Sequence, residues 1–337
     1  MEKRMTYRQA GVDIEKAEQA LERLKRRIAR TYTPEVISGV GLFGGFYRFP
    51  AGDYRSPVLV SSTDGVGTKI KVAILAGKHD TIGQDLVNHC INDIAVCGAR
   101  PLFFLDYFAS GQLDASVYEA VVGGIARACE YANIPLIGGE TAEMPDFYQP
   151  GEYDISGTIV GAVEEANLID GSTIQPGDLL IGAAASGLHT NGYTLARKVL
   201  LKHFSVDTYV AELGCTLAEE LLKIHRNYYP LIQQVVSRYT IKGMAHITGG
   251  GLVKNTRRLL RETMDVEIHW DTLPRYPVFE LIKKLGNVPD EDMRQTFNMG
   301  IGLVLITSVE EGERLLASEG LVREYGLRRI GRIVSRS

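Results

Sequence analysis

Apolar positions recur along this chain at two periods, and the period switches many times. Ile14, Ala17, Leu21, Leu24 and Ile28 fall at helical spacing, with Asp13 as an N-cap. A glycine-rich loop, "VISGVGLFGGFYRFP", follows from Val36 to Pro50. Val58 to Val60 then begin a short buried strand. Thr81 opens a helix to about Cys97, stopped by Gly98 and Pro101. "LFFLDYFA" reads as a strand, Ser116 to Ala132 as a helix, and "IPLIG" and "YDISGTIVGAV" as strands. Such alternation predicts an α/β or α+β layer domain.

The stretch from Glu164 to Asp178 is polar and turn-rich, and a second alternation begins after it. "LLIGAAAS" is a strand, Gly192 to Phe204 a helix, "MAHI" a short strand and Leu252 to Leu260 a helix. "VEIHW" and "GIGLVLIT" are strands, Glu310 to Ser318 is a helix, and "LRRIGRIV" closes as a strand. The reading is therefore two mixed α/β domains, 1–168 and 169–337. A length of 337 residues accommodates two domains.

Composition narrows the function. Lys plus Arg number 37 against 41 Asp plus Glu, so a net charge of −4 leaves no footprint for nucleic acid. The run Lys25, Arg26, Arg27 and Arg30 reads as a solvated helix face. Cys90, Cys97, Cys129 and Cys215 form no CxxC pair and read as thiols of a reducing compartment. The first residues lack an apolar signal core, and no apolar run suffices to span a bilayer. The expectation is a cytoplasmic protein with no membrane partner.

Chemistry concentrates where strands end. In "SSTDGVGTK", Gly65 and Gly67 let backbone N–H groups approach an anion, with Thr68 beside them. Lys69 can neutralise phosphate charge and Asp64 can hold a divalent cation. The spacing does not match a Walker A loop, and a plain turn is the competing reading. Asp93 sits in an apolar helix, either salt-bridged or ligating a metal. Glu140 follows "LIGG", an acid at a strand end. Acids from three elements suit Mg²⁺ with ATP phosphates.

The second half offers "SGLHTNGY". His189, Thr190, Asn191 and Gly192 lie where a strand gives way to a helix, a favoured anion site. His79, His203 and His225 read as surface, and His89 as helix packing four residues from Asp93. His246 precedes Gly249, Gly250 and Gly251, a phosphate candidate or a tight turn, and Asn298 and Gly300 could line the same cleft.

Taken together, "VSSTDGVGTK", "INDIAVCGARPLFFLDYFA", "GGETAEMP", "SGLHTNGY", "HITGGG" and "TFNMGIG" resemble the aminoimidazole ribonucleotide synthetase family, also called phosphoribosylformylglycinamidine cyclo-ligases. The resemblance runs over nearly the whole chain. It implies two α/β domains whose N-terminal halves join across a homodimer in a shared β-barrel. It also implies ATP and Mg²⁺, with K⁺ as a further candidate ion, and formylglycinamidine ribonucleotide as substrate. ATP would phosphorylate the formyl oxygen, and the amidine nitrogen would displace phosphate from that carbon to close the imidazole ring. In this reading Asp64, Asp93 and Glu140 hold metal. Lys25, Gly44, Gly45, Gly65, Gly67, Thr68 and Lys69 serve the nucleotide. Ser186, Gly187, His189, Thr190, Asn191, Gly249, Gly250, Gly251 and Asn298 face the substrate. His189, Asp93 and Lys69 carry catalysis. The alternatives are another ATP-dependent superfamily member, such as a small-molecule kinase, and a nucleotide-binding protein without turnover.

Overall fold

The computed structural model describes residues 14–336. The N-terminal half runs α1 (Ile14–Ala29), β1 (Pro57–Gly65), α2 (Lys69–Ala76), α3 (Asp80–Ala95), β2 (Arg100–Ser110), α4 (Ala115–Ala132), β3 (Leu136–Glu143) and β4 (Tyr153–Glu164). The C-terminal half continues with β5 (Leu179–Ala184), α5 (Tyr193–Leu200), β6 (Tyr209–Val210), β7 (Cys215–Thr216), α6 (Leu217–Leu221) and α7 (Tyr229–Val236). Then come β8 (Gly243–His246), α8 (Gly251–Arg257), β9 (Met264–Ile268), α9 (Pro277–Gly286) and α10 (Asp290–Thr296). The chain ends with β10 (Ile301–Thr307), α11 (Val309–Leu316), α12 (Glu319–Tyr325) and β11 (Arg328–Ser335). Asp13, the expected cap of α1, lies outside the described residues.

The first sheet has the order β1-β4-β2-β3. β2 and β3 are parallel, and α4 supplies the crossover that parallel neighbours require. Ile82, Leu86, Cys90, Ile91 and Ile94 of α3 are buried in the core that also holds Phe104, Ile155 and Ile159 of the strands. Gly157 has to be glycine there, since a Cβ would stand 2.2 Å from the Phe104 ring. The opposite face is less covered: Leu59, Ser61 and Thr63 of β1 are exposed, and Leu105, Tyr107, Thr158 and Val160 are half-buried. β1 is thus an edge strand and not the short buried strand expected at Val58 to Val60. Its partner on one side is β4, and Leu59 is 65% exposed.

The second sheet, β8-β10-β5-β11-β9, is antiparallel throughout, and its strands β8, β10 and β5 are buried on both faces. Leu303 and Leu305 of β10 pack with Leu231, Val235 and Leu315, while Val304 and Ile306 pack with Leu252 and Ile330. Burial on two sides explains why "GIGLVLIT" reads as a continuous apolar run. Several elements carry weaker signals and were not expected, among them α2, which begins at Lys69 itself, and α7, α9, α10 and α12. Cys90 and Cys129 are buried and all four cysteines are free, as expected of thiols outside a disulfide frame.

Candidate active site

One face of α3 carries polar residues at three- and four-residue spacing: Asp85, Asn88, His89, Asn92 and Asp93. Helical periodicity makes this a stripe, and the stripe faces the C-terminal half. Asn88 Nδ2 donates to the His225 carbonyl at 2.8 Å, and Asn92 Nδ2 to the Arg226 carbonyl at 2.9 Å. Asn92 Oδ1 accepts from the Tyr228 N–H at 2.8 Å, and Asp85 Oδ1 from the His225 N–H at 2.7 Å. Side chains here satisfy a buried backbone that belongs to no sheet ladder.

At the C-terminal end of the stripe, groups from three elements and two loops meet. Asp64, the last residue but one of β1, brings Oδ2 to 2.9 Å from His89 Nε2, and Asp93 Oδ2 lies 3.5 Å from the same nitrogen. Asp93 Oδ1 accepts from His246 Nδ1 at 2.7 Å, and Asp93 Oδ2 accepts from Ser62 Oγ at 3.1 Å. His246 Nε2 faces His225 Nε2 at 2.9 Å. Thr190 Oγ1 joins His225 Nδ1 at 3.3 Å to His89 Nδ1 at 2.9 Å. The ring of His189 stacks on that of His225, with centroids 4.0 Å apart.

Charge in this cluster is set by burial against pairing. Burial raises the carboxyl pKa values of Asp64 and Asp93, but hydrogen bonds and charge from His89 and His246 outweigh it and hold both below the usual range. Burial likewise works against a charged His89, and the carboxylates of Asp64 and Asp93 win, raising its pKa. For His246, His225 and His189 burial wins and the rings are held neutral. The result is two carboxylates at the mouth of a largely neutral imidazole array.

The structure brings some expected residues together and separates others. Asp64 and Asp93 share the site. The Gly65–Thr68 loop is beside them: Gly67 is exposed, has φ +60°, and a Cβ there would meet nothing within 4 Å. Thr68 Oγ1 contacts Thr194 Oγ1 at 3.0 Å, linking the loop to α5. Lys69 corrects the expectation. Its side chain is wholly buried, with Nζ 2.8 Å from Asp85 Oδ2 and donating to the Lys223 carbonyl at 2.7 Å. An ammonium so paired does not reach a phosphate in the cleft.

Glu140 is also misplaced by the sequence reading. It lies inside β3, not after it, and is exposed. The register Asp64–Gly157–Asp106–Gly139 runs across all four strands, so Glu140 stands about three strand spacings, roughly 14 Å, from Asp64. It lines a separate cavity of about 280 Å³ with Leu21, Val40, Gly41, Asp106 and Tyr118. Burial raises the pKa of Asp106 there to about 7. Gly45 packs against the same strand, where a Cβ would meet the Ile137 carbonyl at 2.7 Å, while Gly44 is open. Lys25 pairs with Glu22 on the exposed face of α1.

In the second half, His189 is 1% exposed with φ +61°, and its Nε2 accepts from the Ser186 N–H at 3.1 Å. It therefore does not face an open cleft as expected. Ser186 Oγ donates to the Ile224 carbonyl, and Asn298 Nδ2 to the Gly187 carbonyl, so both brace the loop. Asn298 is buried, and its Oδ1 accepts from the Gly300 N–H at 2.8 Å. Asn191 lies beside Gly249, while Gly250 and Gly251 make a left-handed turn held by Asn255. Gly251 is obligatory, since a Cβ would stand 1.9 Å from the Arg294 carbonyl. Two histidines were misjudged: His225 is fully buried, not at the surface, and His89 belongs to the site, not to helix packing. His79 is half-buried and contacts Tyr153 Oη at 3.0 Å, whereas His203 is exposed as expected.

Comparison with known proteins supplies the family. Residues 52–163 match the family described as AIR synthase related protein, N-terminal domain, and residues 175–337 match its C-terminal domain. A phosphoribosylformylglycinamidine cyclo-ligase from Syntrophotalea carbinolica is 50% identical, covering 94% of this chain and 91% of its own. One from Myxococcus xanthus is also 50% identical, covering 93% and 91%. Among solved structures, thiamine-monophosphate kinase from Stenotrophomonas maltophilia K279a has a TM-score of 0.70 at 20% identity, with 95% of both chains covered. Hydrogenase maturation protein HypE in complex with ATP has a TM-score of 0.67 at 21% identity, covering 94% of this chain and 86% of its own. At such identities these two speak for the fold.

Proposed function

This chain belongs to the AIR synthase related family and, within it, to the phosphoribosylformylglycinamidine cyclo-ligases, and on that premise we propose how its site carries the reaction. The enzyme is an ATP-dependent ligase of purine biosynthesis that forms a carbon–nitrogen bond, converting formylglycinamidine ribonucleotide to aminoimidazole ribonucleotide. An amide oxygen is a poor leaving group. Transfer of the γ-phosphoryl group to the formyl oxygen gives an iminophosphate. The amidine nitrogen then attacks that carbon, the C–O bond breaks, and oxygen leaves on phosphate. Phosphoryl transfer needs alignment and charge neutralisation more than a protein nucleophile.

The carrying observation is that Asp64 and Asp93, from separate elements, come within 2.9 and 3.5 Å of one imidazole nitrogen beside the open Gly65–Thr68 loop. Their partly exposed carboxylate oxygens are the donor type that Mg²⁺ takes. Mg²⁺ when bound neutralises charge on the phosphates. The Gly65 N–H is taken by Asp64 Oδ1 at 2.7 Å, so the N–H groups of Gly67 and Thr68 orient the polyphosphate, with Gly67 admitting it closely. Lys69 fixes the start of α2 and so the loop's position, and His189 supports the turn that carries Thr190. The labelled-oxygen experiment decides the mechanism. With heavy oxygen at the formyl group, the label is expected in inorganic phosphate and none in water. Label in water would mean direct condensation, and the phosphoryl-transfer reading would be withdrawn.

The proposal extends to assembly and location. The half at 1–168 serves ATP binding and dimerisation, and the half at 169–337 closes over the substrate, with a polar connector between the sheets. Among the described residues β1 pairs on one side alone, and Leu59, Leu105, Tyr107 and Val160 form a partly open sheet face. Uncapped edges and apolar faces invite strand pairing, and a second copy completing a barrel satisfies both. Sedimentation at about micromolar protein should show a dimer. A stable, active monomer there would contradict the shared barrel. No described helix is long and apolar enough to cross a membrane, and the cytoplasm is the proposed location.

A further inference from the structure

We propose that His89, Asp93 and His246 form a binding site for a transition-metal dication of the zinc class, with Asp64 as the adjoining fourth donor. His89, Asp93 and His246 offer one ligand atom each within 4.8 Å of one another. Two imidazole nitrogens with carboxylate oxygens suit a borderline cation, whereas Mg²⁺ prefers an all-oxygen shell.

The hydrogen-bond pattern itself calls for a cation. The tautomers follow from tracing protons along the chain of contacts. Asp93 Oδ1 takes the His246 Nδ1–H, so a neutral His246 must accept at Nε2 from His225. His225 then accepts at Nδ1 from the Thr190 hydroxyl, and that hydroxyl accepts from His89 Nδ1–H. His89 Nε2 lies outside this chain of contacts and faces Asp64 at 2.9 Å and Asp93 at 3.5 Å. This buried nitrogen has no well-directed hydrogen bond. A lone pair against two carboxylates is repulsive unless positive charge lies between them. A single proton balances one carboxylate; a dication balances both.

The surroundings are already those of a metal site. A ligating histidine usually gives its other N–H to a fixed acceptor. With a dication bound, His246 Nε2–H donates to His225 Nε2, His225 Nδ1–H donates to Thr190 Oγ1, and His89 Nδ1–H donates to the same oxygen. Every ring nitrogen of this set then has a partner, and Ser62 Oγ holds the second oxygen of Asp93. Binding here does not depend on the cyclo-ligase reading. A consequence does: a zinc-class ion at Asp93 would exclude Mg²⁺ from it and inhibit ATP use.

The test uses Co²⁺ on the full chain, stripped with chelator and free of nucleotide. The expected result is one Co²⁺ per chain with the visible bands of a four-coordinate ion, displaced by Zn²⁺. His89→Gln and His246→Gln should each weaken binding by about a hundredfold, and Thr190→Val, which spares the ligands, by about tenfold or more. If a histidine variant fails to fold, Thr190→Val decides. Equal Co²⁺ affinity in the folded variants, or no Co²⁺ bound at about micromolar concentration near neutral pH while His89 merely titrates, overturns the proposal and leaves a proton-bridged cluster. Because no ATP or substrate is present, this failure is separate from any failure of the phosphoryl-transfer reading.

Discussion

Asp93→Asn is expected to lower kcat by about a hundredfold to a thousandfold, the scale of losing one electrostatic contact at a transition state. The substitution changes charge and little else. Asn keeps the size of Asp, keeps an acceptor for His246 Nδ1–H, and keeps a partner for Ser62. What disappears is one of the two carboxylates assigned to the phosphate-bound cation. The side chain is held ionised against its burial by His246 and His89, so the loss is of a full charge at neutral pH. The effect should fall on kcat at saturating ATP and substrate, since the charge matters most while the phosphoryl group transfers. A native-like melting curve with kcat within about threefold of the parent would remove Asp93 from the reaction, because one lost contact is worth far more than that.

How far the sequence reveals this site depends on which signals are local. Asp64 and Asp93 are legible because an acid at a strand end, or among apolar helix residues, needs a partner wherever the fold places it. The two-domain alternation is legible because period 2 and period 3.6 are written into each segment. Lys69 shows the limit. A lysine after two glycines looks like a phosphate ligand, yet its partner Asp85 lies on the next helix and the carbonyl it meets belongs to Lys223. Only the packing of the two halves determines that direction. Glu140 fails differently: the strand-end rule names an edge of a sheet, and here Asp64 and Glu140 occupy opposite edge strands. His89 did carry a local signal, its spacing of four from Asp93. His225 carried none, for its burial comes from the carboxylate and amides of a helix more than 130 residues earlier.

Lys69→Met should destabilise the protein by about 3–5 kcal/mol at neutral pH, the range for removing one partner of a buried ion pair. Lys69 and Asp85 are both fully buried. Burial pushes the Lys69 pKa down and the Asp85 pKa up, and each partner partly restores the other. Without the ammonium, Asp85 keeps only the His225 N–H, and a buried carboxylate with one hydrogen bond takes up a proton instead. Its folded pKa then lies further above the unfolded value. An acid with a raised folded pKa stabilises the fold at low pH and loses that contribution as pH rises through the folded pKa. The urea midpoint of Lys69→Met should therefore increase as pH is lowered from 7 toward 5, relative to the parent. Lys69→Met with Asp85→Asn should recover much of the loss, because Asn leaves no charge and still accepts from His225. Asp85→Leu should recover less, since that N–H would be orphaned at about 1–3 kcal/mol. The urea midpoints of the four proteins, taken at two pH values, test the whole argument. An unchanged midpoint for Lys69→Met at neutral pH would show that the buried pair does not stabilise the fold, and Lys69 would return to consideration as a phosphate ligand.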